Sequence, residues 1–458
     1  MAAALRESYW FLPSLMALGA MLLAGGMILL DSYEGSAWMD GVPWLYAARP
    51  DGARQVLSAI GGSMITVAGT VFSVTIAAVV YASGQYGPRL LSNFLADRGN
   101  KVTLGTFIAT FLYCLLVLRT IRSADEGGYS FVPNLALIVG VLLALCSIGV
   151  LIYFIHHVPS TIHINSVIED VGERLLAEID HRFPHGIGHP GKADRAATDG
   201  VGVPRVFSTS GTMDELARVP AKSTGYVRVV DDESLLDLAR SADLVIRLRY
   251  QPGDFVRTGR PLLEAWPASR CGEKVAEALG EAFAIGSRRS ATQDLRFLID
   301  ELVEIAARAL SPGVNDPFTA VTCLDWLAAA LAELAGRDLP SPLRVDREGA
   351  LRVIATPVTF DRFVERSFGA LAQYCATDMV AALRYLAALG EVALDCDDAR
   401  RLAPLRDHAD RLEELAGVAL HGFNLARVRD RAVELRQALA RFDHRDALEK
   451  LAWLGGSG

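Results

Sequence analysis

Ile60-Gly61-Gly62-Ser63-Met64-Ile65-Thr66-Val67-Ala68-Gly69-Thr70-Val71-Phe72-Ser73-Val74-Thr75-Ile76-Ala77-Ala78-Val79-Val80-Tyr81-Ala82 carries no charged residue. A bilayer core takes about 20 apolar residues in helical form. In lipid the backbone polar groups of such a segment must be paired within it, so this stretch reads as a spanning helix. Three further runs of the same character, residues 9–30, 102–118 and 132–155, share the first third of the chain. Four spans place the protein in a membrane before any motif is considered.

The run at 60–82 differs from ordinary lipid-facing sequence. Ser63, Thr66, Thr70, Ser73 and Ala77, with Gly69 beside them, recur at steps of three and four and so share one helical face. Thr106 and Thr110 do the same in the run at 102–118. Such a face packs closely against another helix, with hydroxyls bonded across or back to their own backbone. Around an oligomer axis it also lines a polar path, where hydroxyls replace part of an ion's hydration shell. Packing stripes are the commoner case, and the two roles coexist in an oligomer. The two hydroxyl-bearing runs are expected to form a central pair, with the first and fourth facing lipid. No acid or base lies deep in any run, which argues against a proton pump with a carboxylate relay.

Orientation follows from flanking charge. Residues 83–101 hold Arg89, Arg98 and Lys101 against the single acid Asp97, whereas the connections at 31–59 and 119–131 each carry two arginines among several acids. The basic segment is placed inside, with Arg89, Arg98 and Lys101 as inner-interface anchors, which puts both termini and the large C-terminal part in the cytoplasm. Residues 92–98 read as a short amphipathic stretch at that interface. The first run is followed by Leu29-Leu30-Asp31-Ser32 rather than a small-x-small site, so it reads as an uncleaved helix.

Composition agrees with a split chain. Of 458 residues 51% are hydrophobic, the net charge is -8, and the mean hydropathy is +0.27. An acidic balance excludes the basic face of nucleic-acid binding. Six cysteines without CxxC spacing suggest buried thiols rather than structural zinc or a disulfide framework. No metal site and no cofactor is expected. The histidines 156, 157 and 163, near the end of the fourth run, read as solvated interfacial residues.

His156-His157-Val158-Pro159 is read as closing the fourth span, giving a transmembrane domain over 1–159. Residues 160–204 follow as a connecting amphipathic helix and a Gly/Pro-rich linker. Alternating segments at 225–230 and 244–250 mark a small β-rich domain over 205–268. Within it, residues 252–262 resemble the PGD-x-V-x-x-G-x-P-L turn of biotinyl and lipoyl-type domains, without the modified lysine, so a small β-barrel-like part is expected and no swinging arm. Residues 269–458 read as an all-helical cytoplasmic domain. Its densest stretch runs from 285 to 325: a helix over 293–310 places Asp300, Glu304 and Arg308 on one face, favourable for ion pairs. Ser311-Pro312-Gly313 stops that helix, and Asn315-Asp316-Pro317 starts the next with an N-cap and Pro at N1. Arg308, Ser311, Asn315 and Asp316 are a candidate cytoplasmic ligand loop, where loop amides and a helix N-terminus can receive an anion. A plain capped helix hairpin explains the same residues. No GxGxxG, P-loop, HExxH or nucleophile elbow occurs.

Several strings resemble one known family. Ile65-Thr66-Val67-Ala68-Gly69-Thr70-Val71-Phe72-Ser73, Gln85-Tyr86-Gly87-Pro88-Arg89-Leu90-Leu91, Asp97-Arg98-Gly99-Asn100, Leu104-Gly105-Thr106-Phe107 and the decapeptide from Arg308 to Pro317 are similar to the bacterial predicted-membrane-protein family called domain of unknown function twenty-two fifty-four. The resemblance covers almost the whole chain and implies four spans followed by a cytoplasmic region, here in a bacterial inner membrane. It implies no activity. The first functional expectation is a homo-oligomeric channel or pore-forming protein, with the bilayer, ions and further copies of the chain as partners and the cytoplasmic part as vestibule or sensor. The second is a membrane-anchored signalling or scaffold protein whose soluble part binds a ligand or protein. No catalytic constellation supports an enzyme.

Overall fold

A computed structural model describes residues 10–34, 50–86, 97–123, 131–183, 203–207, 215–356 and 359–454. Arg89 and most of the amphipathic stretch at 92–98, together with nearly all of the linker at 184–204, lie outside the described residues. The chain divides into two compact units, Met1–Val167 and Ile168–Gly458.

The first unit holds helices α1 (Phe11–Glu34), α2 (Pro50–Tyr86), α3 (Arg98–Leu118) and α4 (Asn134–Ile162). Each holds most or all of an expected apolar run and is long and apolar enough to cross a membrane. The helix at the centre is α3, which packs against α1, α2 and α4 and buries Phe107, Thr110, Tyr113, Cys114 and Val117. The expected central pair is therefore replaced by one central helix. Small residues permit this: a methyl group at Gly105 of α3 would stand 3.3 Å from Pro13 Cα of α1, and one at Gly140 of α4 would stand 3.1 Å from Leu57 of α2. Polar bonds pin one end. Asp31, late in α1, accepts from the Leu135 and Ala136 amides at 3.1 and 2.9 Å, capping α4, and the Tyr113 hydroxyl donates to Ala136 O at 2.9 Å.

Two bounds differ from expectation. The helix α2 has 37 residues and begins at Pro50. At 1.5 Å per residue it is about 55 Å long, well beyond a hydrocarbon core of about 30 Å. The helix α4 runs through Pro159 and ends at Ile162, before His163 with ψ 128°. Proline removes one backbone donor, and here that loss does not end the helix.

In the second unit α5 (Ile164–Arg182) buries Ile168, Val171, Leu175 and Ile179, the stripe expected from sequence. Two sheets follow. The strands are β1 (Ala217–Pro220), β2 (Gly225–Val230), β3 (Val245–Leu248), β4 (Phe255–Val256), β5 (Pro261–Trp266), β6 (Phe283–Gly286), β7 (Leu343–Val345) and β8 (Leu351–Ile354). One sheet has the order β1-β5-β3-β8-β7 and the other β4-β2-β6. Helix α6 (Asp232–Ser241) and helix α7 (Glu273–Glu281) complete a core of Val219, Val227, Leu235, Ile246, Val256 and Leu263.

This corrects the expectation of a β domain ending at 268 and an all-helical part beyond it. Three strands lie past that point, and β8 pairs in parallel with β3, Ile246 beside Val353. Strands of three or four residues are too short to show a period of two, and β6 and β8 find partners, β2 and β3, that are distant in the chain.

The remaining helices are α8 (Leu295–Ala309), α9 (Pro317–Ala335), α10 (Phe360–Val364), α11 (Ala370–Cys375), α12 (Met379–Leu394), α13 (Leu402–Ala419), α14 (Gly422–Leu439) and α15 (His444–Glu449). Between α10 and α11, residues Glu365–Gly369 form a π-helical turn. A fifth helix, α9, is also apolar and long enough to span a membrane, at 19 residues with mean hydropathy 1.5. It packs between α8 and α12 and buries Cys323, Leu324, Leu327, Leu331 and Leu334 inside the unit. Its exposed positions include Asp325 and Glu333, so its apolar face is the one turned to α8 and α12.

Candidate functional site

The hydroxyl face of α2 points away from the rest of its bundle. Ser63, Thr66, Gly69, Thr70 and Ser73 are all exposed among the described residues, while Met64, Ala68, Val71 and Thr75 face inward. Each outward hydroxyl donates to a carbonyl of its own helix: Ser63 to Ala59 O at 2.7 Å, Thr66 to Gly62 O at 2.9 Å, Thr70 to Thr66 O at 3.1 Å and Ser73 to Gly69 O at 2.9 Å. The helix therefore satisfies its own polar groups and leaves oxygen lone pairs on an outer face. This face is not used to pack α2 against α1, α3 or α4.

The hydroxyls of α3 behave otherwise. Thr106 is half-buried and donates to Val102 O at 2.8 Å, whereas Thr110 is fully buried and shares a 3.0 Å hydrogen bond with Ser147 of α4. Thr110 is thus a packing residue, joining two helices through polar groups. The structure does not bring the α3 hydroxyls onto the α2 face.

At the other end of the bundle Asp97 caps α3, accepting from the Asn100 amide at 2.8 Å. Its carboxylate also meets His157 Nε2 of α4 at 3.1 Å, and the imidazole stacks on Tyr153 with centroids 4.9 Å apart. His157 is therefore tied to the start of α3 rather than simply solvated. Sequence reading missed this pair, although the Asp97-Arg98-Gly99-Asn100 string held its signal: an N-cap acid, and a Gly99 that packs on the imidazole. Of the expected interfacial anchors, Arg98 is exposed, but Lys101 is 4% exposed and turns into the bundle. Arg98 and Val102 occupy the exposed side of α3, and Lys101 falls on the side turned to the other helices.

In the second unit the loop between α8 and α9 is a closed hairpin. Ser311 Oγ donates to Arg308 O at 2.6 Å, the Val314 and Asn315 amides donate to Ser311 O at 3.1 and 2.9 Å, and the Asp316 amide donates to Ala309 O at 2.7 Å. Asp316 caps α9, accepting from the Thr319 amide and hydroxyl at 3.2 and 2.6 Å. Asn315 has φ +51°, in the left-handed region, and Arg308 pairs with Glu304 at 3.5 Å. Arg308, Ser311, Asn315 and Asp316 are thus brought together, with these amides already spent within the loop. Asp300, expected to join the Glu304–Arg308 row, turns instead to Arg366, at 2.6 and 2.7 Å, and to Arg289 at 2.6 Å. Burial opposes ionisation of Asp300, but these two guanidiniums outweigh it and hold its carboxyl below the usual carboxylate range.

Arg289 continues to Asp294, which is 2% exposed and also receives Arg296 Nε at 3.0 Å. Arg296 reaches Asp254 at 3.1 Å and the Pro252 carbonyl. The Pro252-Gly253-Asp254 turn lies so close to the Asp294 carboxylate that a side chain at Gly253, with φ +92°, would overlap it. This ion lattice locks the β sheets onto the start of α8. Beside it opens a cleft of ≈ 870 Å³, floored by Leu235, Leu248, Val353 and Phe363 and rimmed by Arg182, Arg344 and Arg362. Its size suits a small-molecule ligand. The cleft is assembled from α5, α6, β3, β8 and α10, which no local sequence signal could have joined.

A chain with four long apolar helices packed in one unit and a sheet-containing second unit is a multi-helix membrane protein. The family model described as predicted membrane protein (DUF2254) matches residues 6–391, and the chain belongs to that family. It is similar to the uncharacterized proteins Mb1321c of Mycobacterium bovis and Rv1290c of Mycobacterium tuberculosis, each 31% identical over 405 residues, covering 87% of this chain and 74% of theirs. No solved structure matches the chain.

Proposed function

We propose that this chain forms a homo-oligomeric pore in a bacterial inner membrane, with α1 to α4 as its four spans and both termini cytoplasmic. The outward hydroxyl face of α2 carries the reading. Ser63, Thr66, Thr70 and Ser73 take no part in packing their own bundle, so their natural use is at a contact with another copy around an axis. There the oxygen lone pairs are available to a partly dehydrated ion. Four spans are few for a conduction path within one chain, so the path needs several copies.

A membrane-anchored ligand-sensing role is the second reading, supported by the ≈ 870 Å³ cleft of the second unit. The two are compatible, with the soluble unit acting as a sensor for the pore. The test is ion flux from liposomes holding the purified full chain. The pore reading expects flux that Thr70→Leu or Ser73→Leu changes. A monomeric particle without flux would leave only the anchored-sensor reading.

A further inference from the structure

The α3 helix runs out of apolar sequence at Leu118, and Arg119-Thr120-Ile121-Arg122 follows. Ile121 is 4% exposed and plugs the bundle, which turns Arg119 and Arg122 outward. The backbone here is held on several sides. Thr120 N donates to Val117 O at 3.0 Å, Arg122 and Phe131 exchange both backbone bonds at 3.1 Å, and Arg54 Nη2 of α2 donates to Ile121 O at 3.0 Å. The backbone that carries Arg119 and Arg122 is thereby held at the end of α3, with a third arginine, Arg54, on the neighbouring α2.

Beneath them lies a cavity of ≈ 540 Å³ between α1 and α3. Its apolar wall is Met21, Gly25 and Ile28 of α1 with Leu116 of α3, and its mouth is formed by Arg119 and Arg122. Met21, Gly25 and Ile28 are at i, i+4 and i+7, one face of α1. At Gly25 the space a side chain would enter is open. Among the described residues neither Arg119 nor Arg122 has a side-chain hydrogen bond or ion pair. Asp31, one turn beyond Ile28, is committed to the Leu135 and Ala136 amides.

An apolar groove along two spans, ending under two guanidiniums that no described acid pairs, has the two-part chemistry of a phospholipid. We propose that it holds an anionic phospholipid. Its phosphodiester sits between Arg119 and Arg122, and one acyl chain lies against Met21, Gly25, Ile28 and Leu116. Guanidiniums bind phosphate through paired N–H donors, and basic pockets between spanning helices select anionic headgroups. A zwitterionic lipid presents the same phosphate but brings its own ammonium, so it gains less from the pair. The inference rests on α1 and α3 being spans, and not on the pore.

The experiment is native mass spectrometry of the full chain in detergent, titrated with dioleoyl phosphatidylglycerol or dioleoyl phosphatidylcholine. Phosphatidylglycerol should bind more tightly, and R119Q/R122Q should weaken it about 30-fold, at roughly one kcal/mol per guanidinium, while weakening phosphatidylcholine much less, so that the preference between the two lipids shrinks. R119K/R122K should retain most of the preference. Gly25→Leu, which fills the groove, should weaken both lipids. Equal binding of the two lipids, or an unaffected Gln double variant of native circular dichroism, overturns the proposal. So does displacement of phosphatidylglycerol by inorganic phosphate together with normal binding to Gly25→Leu, which would mark a free-anion site. Lipid adducts are counted without reference to flux, so failure here and failure of the pore are separate results.

Discussion

Thr70→Val and Thr110→Val remove the same hydroxyl from two apolar helices and should have opposite consequences. Thr110 is fully buried and bonded to Ser147 at 3.0 Å. Ser147 Oγ also reaches Leu143 O at 2.8 Å, so it keeps a partner when Thr110 is lost. The cost should therefore be that of one interhelical bond in lipid, about 0.6 to 1.7 kcal/mol. Thr70 is exposed and donates only to Thr66 O, on its own helix. Its loss should change the stability of the isolated bundle by less than about 0.5 kcal/mol. If the outer face is an interface between copies, that same variant should reduce the population of the oligomer. Thermal unfolding followed by circular dichroism in detergent measures the first quantity, and light scattering of the same samples measures the second. A Thr70→Val protein that unfolds as early as Thr110→Val, at unchanged particle mass, would refute the division between a packing hydroxyl and an interface hydroxyl.

Three further outcomes follow from the second unit. Asp294→Ala should destabilise it by about 3 kcal/mol, at the low end for breaking a buried pair because Arg289 keeps Asp300 and Arg296 keeps Asp254; urea unfolding of the full chain measures this. The Asp300 carboxyl is held below its ordinary 3.8, so its contribution is complete above that value and lost as pH falls through the depressed one. Asp300→Asn should therefore lower stability at neutral pH and flatten the acid limb below roughly pH 4, seen by unfolding across a pH series. Gly172→Ala should cost about 1 to 3 kcal/mol in the same urea assay, because the added methyl meets the Trp326 ring.

How far the sequence could be read depended on the range of the interaction. The long apolar helices, the capped hairpin at Ser311–Asp316 and the stripe Ile168–Ile179 are local patterns, and each is found where periodicity or a cap residue placed it. Which face of α2 turned outward was not legible, because hydroxyls at steps of three and four look the same whether they pack or face away. Lys101 misled for a similar reason: flanking charge assigns a side of the membrane, not the burial of one side chain. The strands β6, β7 and β8 escaped because each is three or four residues long, and β6 and β8 pair with the distant β2 and β3. The cleft and the Asp294 lattice form only once those pairings are made.

Oxidative cross-linking in native membranes of a Thr70→Cys chain, with the exposed Cys146 changed to Ser, tests the central claim most directly. Copies that meet through the outward face of α2 should form disulfide-linked species through position 70. Absence of that bond, with cross-links instead through Leu22→Cys on the exposed side of α1, would contradict the account.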